Sequence, residues 1–242
     1  MNKENAAPAE MKARQFATRV VASQILIVVG VVATNWWVLV PFRHGITGPH
    51  QGFLSDLEAT GEPDASLYRS LDFLASLLTL LALGLRGPIG RVGERRAEFP
   101  WIIVFAVAGM AGSLSPYACA EGTYPSCRQL EWHFQLPMHH YLHIASGIVE
   151  FAAITIAVEL ARRRTRGEFT PEGRAARVLT RVLFVAYPAL AVAYLGDAFG
   201  AFVEPVFFLT FSAMLLLEVF EPQRPIDVDS NESISYPSWQ RD

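Results

Sequence analysis

Six apolar runs, each near the length needed to cross a bilayer, constrain this 242-residue chain more than any other feature. A helix rises about 1.5 Å per residue, so roughly 20 apolar residues cross a hydrocarbon core of about 30 Å. The runs fall at about 20–40, 67–85, 100–114, 140–160, 178–195 and 199–220. The third is short and contains Gly109 and Gly112, and Pro188 predicts a kink in the fifth. With 52% hydrophobic and 18% charged residues, the chain is excluded from the disordered and disulfide-scaffold classes and from ordinary soluble enzymes. A net charge of −3 offers no basic face for nucleic acid. The expectation is an all-α polytopic membrane protein: one six-helix bundle over 17–221, with flexible tails at 1–16 and 222–242.

Basic residues orient this bundle. Seventeen of the twenty lie in the two tails or in the loops after the second and fourth runs, whereas the alternate loops hold Arg43, Arg69 and Arg128. The positive-inside rule therefore puts both termini in the cytoplasm of a bacterial inner membrane. The basic N-terminus and the run behind it share features with a signal peptide. The run continues to Trp36 and Trp37, a pair suited to the outer interface, so it reads as a retained first helix. Two outer loops, 41–66 and 115–138, are longer than a compact bundle needs.

Every histidine falls on the outer side of that topology: His44, His50, His133, His139, His140 and His143. Along the fourth run, His139, His143, Ser146 and Glu150 are spaced by four, three and four, which makes one polar stripe on a helix. Glu150 then lies near the bilayer centre, where a carboxylate costs about 3 kcal/mol or more unless paired or protonated. Arg69, Asp72, Ser76 and Thr79 form a matching stripe on the second run, with Arg69 placed to pair with Asp72. The two stripes are expected to pack face to face, with Asp197 and Glu204 near their outer ends.

This arrangement admits three readings. In a metal-assisted hydrolase, His139 or His140 with His143 would ligate zinc, a third ligand coming from another outer histidine or a carboxylate. Asp72 or Glu150 would serve as base, and Ser146 would lie beside the centre. In the second reading the same groups hold helices together through hydrogen bonds. In the third they form a metal-free lipid or proton site. Cys119 and Cys127, both in an outer loop, are expected to form a disulfide. Phosphate-cradling motifs are absent from the sequence.

Two stretches carry a family resemblance. The first is FLSDLEATGEPDASLYRSLDFLASLLTL at 53–80, and the second is SPYACAEGTYPSCRQLEWHFQLPMHHYLHIASGIVEF at 115–151. They resemble a bacterial six-helix membrane family, domain-of-unknown-function family 998. They are distantly similar to the family of damage-regulated autophagy modulators and GPI-anchor lipid remodelling proteins. The resemblance implies six helices with cytoplasmic termini and outward-facing motifs. It falls on Ser55, Asp56, Pro63, Asp72, Cys119, Cys127, Arg128, His140 and His143, the doubled histidine leaving His139 as an equal counterpart of His140. It implies a lipid or lipid-linked substrate at the outer face, the alternative being a non-catalytic scaffold, sensor or lipid-binding protein.

Overall fold

The computed structural model describes residues 6–39, 53–86, 96–121, 124–166, 170–196 and 200–220. Seven α-helices account for most of these: α1 (Ala6–Thr34), α2 (Ala65–Arg86), α3 (Phe99–Leu114), α4 (Pro125–Trp132), α5 (Met138–Arg164), α6 (Pro171–Gly196) and α7 (Gly200–Phe220). Two short 3-10 turns, Trp36–Leu39 and Leu54–Glu58, complete the ordered elements, and no strand occurs among the described residues. Helices α1, α2, α5, α6 and α7 are each long and apolar enough to cross a membrane, while α3 is apolar but has 16 residues. Pro188 and Pro205 both sit inside unbroken helices.

The long helices close into a ring. Going round it, α1 packs on α2, α2 on α3, α3 on α5, α5 on α6, α6 on α7, and α7 back on α1. This corrects one sequence expectation. Helices α2 and α5 do not pack face to face, because α3 stands between them. Glycine makes that intervening wall thin. A Cβ at Gly109 would fall 2.5 Å from Ser76 Oγ on α2 and 3.1 Å from Glu150 Oε1 on α5.

One half of the ring is filled and the other is hollow. In the filled half Ile27, Ile102, Ile154, Leu183 and Met214 form a dry core. Phe151 stacks on Phe207 at 4.8 Å, and Phe105 meets Phe211 edge-on at 5.0 Å. Ion pairs lock the adjoining helix ends, Arg96 with Glu218 at 2.9 Å and Arg164 with Glu98 at 2.7 Å. The outer surface is apolar to a degree that water would not tolerate, with Val32, Phe184, Val185 and Val192 all well exposed.

The hollow half is capped by α4 and the loops around it. A disulfide joins Cys119 to Cys127 with Cα atoms 6.0 Å apart. Asp56 binds the cap to the 3-10 turn before α2: its Oδ1 accepts Glu121 N–H at 3.1 Å and its Oδ2 accepts Phe53 N–H at 3.2 Å. Trp36 is 1% exposed, stacked on Tyr68 at 4.1 Å under that turn. It is a core residue rather than the interfacial anchor expected from the Trp36–Trp37 pair, because its N–H finds a partner inside the bundle.

Candidate functional site: a carboxyl-lined cavity

A cavity of about 340 Å³ occupies the hollow half, and every helix of the ring contributes to its lining. Its polar groups include four carboxyls, Glu58, Asp72, Glu150 and Glu204, with His143, Tyr117, Tyr194 and several serine and threonine hydroxyls. Its apolar wall is largely aromatic, from Phe53, Phe105, Phe151, Phe208 and Phe211. A volume of this size matches a small-molecule site rather than a packing defect.

Glu58 and Asp72 form the most tightly constrained pair. Their carboxyls lie close enough to act on each other. Trp36 Nε1–H donates to Asp72 Oδ1 at 2.9 Å. Burial first, then the neighbouring Asp72, raises the Glu58 carboxyl well above its ordinary range. Arg69 opposes that rise from nearby, but its Nε donates to Ala65 O at 3.4 Å and it makes no ion pair with Asp72. The expected Arg69–Asp72 pair is therefore replaced by an acid–acid pair. Glu204, from α7, accepts the backbone N–H of Leu54 and, at 3.3 Å, that of Ser55. It caps the 3-10 turn while lining the cavity, as Ser55 does.

The histidines divide into two environments. His140 is fully buried, and its Nδ1 accepts the N–H of Ala118 at 3.2 Å. That fixes the proton on Nε2, which donates to Glu131 Oε2 at 2.8 Å. Both ring nitrogens are thus engaged, and Glu131 also accepts from Tyr194 OH. Burial opposes ionisation of Glu131, but hydrogen bonds from His140, Tyr194 and Glu121 outweigh it and hold its carboxyl below the ordinary value. Tyr117 packs against both rings, 4.8 Å from His140 and 4.2 Å from His143. Its phenol is held well above its ordinary range by burial and the surrounding acids.

His143 is arranged the opposite way round. Its Nδ1 faces two acceptors, Gly112 O at 3.1 Å and Ser115 O at 2.9 Å, so Nδ1 carries the proton. Nε2 is left as a lone pair on the ring that lines the cavity. A neutral imidazole held in this way can accept a proton or a hydrogen bond.

These placements sort the expected site residues. Asp72, Ser76 and Thr79 on α2, and His143 and Glu150 on α5, all line the cavity. Ser146 does not; it backs onto α3, where a Cβ at Gly112 would lie 3.5 Å from its own. His139 is half-buried and His133 exposed, the latter bonded within α4 to Gln129 O at 2.7 Å. His44, His50 and Asp197 lie outside the described residues. The zinc expectation meets a physical obstacle, since a ring with both nitrogens hydrogen-bonded, like His140, has no lone pair for a metal. Among the described residues no group of three His, Cys, Asp or Glu is arranged to hold a metal ion.

A family model described as "Protein of unknown function (DUF998)" matches residues 16–220, which include every helix that lines the cavity. The chain belongs to that family. No curated protein and no solved structure matches the chain.

Within this member of the family, Glu58, Tyr117, Glu131 and Tyr194 are the polar groups that the helical stripes did not reveal. Glu58, Tyr117 and Glu131 lie outside the apolar runs, where helical spacing carries no information. The one available signal was local: Glu131 sits nine residues before His140, beside the disulfide that ties its helix to the bundle.

Proposed function

We propose that this protein is a six-helix membrane bundle that binds a lipid or lipid-linked molecule in the cavity between its helices. In this reading α3 is the sixth crossing, and the disulfide-stapled cap faces outward. Both termini lie with the arginine-rich loops in the cytoplasm of a bacterium. The observation that carries the proposal is the cavity itself: a chamber with acid groups at its heart and phenylalanines around them, inside a bundle with an apolar exterior. A polar head belongs among the carboxyls and an apolar tail among the rings. The similarity of 53–80 and 115–151 to proteins that remodel GPI-anchor lipid agrees with a lipid ligand.

A second reading rests on His143. With Nδ1 committed to two carbonyls, its Nε2 can take a proton from a hydroxyl or a water in the cavity. The protein would then act on the molecule that it binds, with His143 as base.

A fluorescent lipid analogue competed against cell-extracted lipid tests the binding reading on protein in nanodiscs. Saturable, competable binding supports it, and binding that rises only in proportion to lipid concentration contradicts it. If His143 acts as a base, His143→Gln keeps binding and loses turnover of the extracted lipid.

A further inference from the structure

The lining of the cavity is lopsided in charge. Four carboxyls face it, and among the described residues no lysine or arginine lines it, Arg69 acting on Glu58 from behind the wall. Three of the four have partners that explain them: Glu58 and Asp72 lie against each other, and Glu204 caps the 3-10 turn. Glu150 has none. It makes no hydrogen bond or ion pair among the described residues, and its carboxyl borders the cavity directly. The lone pair on His143 Nε2 is a second acceptor without a donor on the same helix, two turns away. Both acceptors open into the cavity, so a bound molecule that brings donors finds partners there.

The walls narrow the class further. Phe105, Phe151 and Phe211 line the same cavity as Glu150, and aromatic rings attract cations at short range. Aromatic rings beside a carboxyl suit an ammonium head, whereas a phosphate would meet four acids in the lining.

The route in is marked as well. Ile148 lines the cavity and is 64% exposed on the outer surface, so it stands at the edge of an opening. On this side α6, the neighbour of α5, gives the lining only Leu190 and Tyr194. The edge of the cavity thus reaches the hydrocarbon-facing surface of α5. We infer that the cavity takes a cationic amphiphile, an amine or quaternary ammonium on an apolar tail, which enters sideways between α5 and α6. This rests on the lipid-binding reading above and names the head group that the reading leaves open.

The test compares three probes with the same tail on the full chain in phosphatidylcholine nanodiscs: dodecyltrimethylammonium, dodecyl phosphate and dodecyl maltoside. The ammonium is expected to bind about tenfold or more tighter than either competitor. Glu150→Gln is expected to remove most of that preference, while Glu159→Gln, which lies in a surface cluster with Arg162 and Arg163, leaves it unchanged. Ile148→Trp is expected to slow association. Equal or tighter binding of the phosphate or maltoside overturns the ammonium assignment and leaves the lipid-binding reading standing. Failure of all three probes to bind overturns both. Where Glu150→Gln does not fold, the order of the three probes on the unaltered chain still decides.

Discussion

Trp36 Nε1–H donates to Asp72 Oδ1 at 2.9 Å, from the end of α1 to the first turns of α2. The same carboxyl lies against Glu58. One indole thus orients an acid of the cavity lining, and its ring fills the space beneath the turn that carries Glu58. Trp36→Phe keeps most of the stack on Tyr68 and deletes the donor. The expected cost is about 1–3 kcal/mol. Trp36→Ala should cost about 3–5 kcal/mol, because the ring volume goes too. Unfolding in mixed micelles with increasing dodecyl sulfate measures both.

The two histidines should separate in the same assay. His140→Ala strips partners from Ala118 N–H and from the buried Glu131, so it should lower stability by about 2–4 kcal/mol. His143→Ala removes a donor from carbonyls that keep other bonding capacity, so its cost should be nearer 1 kcal/mol. A larger loss for His143 than for His140 would contradict the tautomers assigned here.

Stability of the cap should depend on pH through Glu121. Burial, then the adjacent Glu131, pushes its carboxyl from an ordinary 4.5 up to about 8. Between those values the unfolded chain releases this proton while the folded chain keeps it. Glu121 therefore favours folding most below pH 4.5, and its contribution is lost as pH rises towards about 8. Glu131 works in the other direction, its contribution lost only as pH falls below the ordinary carboxyl value. Melting temperature should decline across the Glu121 window in the parent, and Glu121→Gln should flatten that decline.

Reduction of Cys119–Cys127 opens a loop with a sequence separation of eight. Loop closure on that scale is worth about 2–3 kcal/mol. Because α4 carries Glu131, reduction should also speed hydrogen exchange at His140 and Tyr194. Exchange measured with and without reductant checks both parts.

Gly109→Ala should act on the site more than on the fold. The new methyl displaces the Ser76 hydroxyl and the Glu150 carboxylate, both of which can turn away. The expected cost in stability is about 1 kcal/mol. The variant should still weaken binding of whatever Glu150 contacts, and titration of a bound amphiphile reports that.

Particular residues show where the sequence was legible. The apolar runs announced the long helices because lipid demands an apolar surface as long as the bilayer is thick, and helix spacing put Asp72, Ser76, Thr79, His143 and Glu150 on inward faces. The order of helices around the ring was not legible, since Gly109 and Gly112 say that something approaches α3 closely without saying what. His139 and His140 are adjacent and chemically identical, so spacing favoured the half-buried His139 over the buried His140. What distinguishes His140 is Glu131, brought in by a loop whose path depends on the Cys119–Cys127 link. Glu58 was hidden for the same reason, in a segment with no helical period to read.

The central claim, that the cavity between the helices is a binding site, is tested most directly by native mass spectrometry of the parent chain beside Gly147→Trp. Gly147 lines the cavity, and a Cβ added there meets nothing within 4 Å, so the indole can grow into the chamber without disturbing the helices. The account predicts one amphiphile retained per parent chain after detergent exchange, and none in the folded variant. A parent that retains nothing, or a filled variant that retains the molecule equally well, would contradict it.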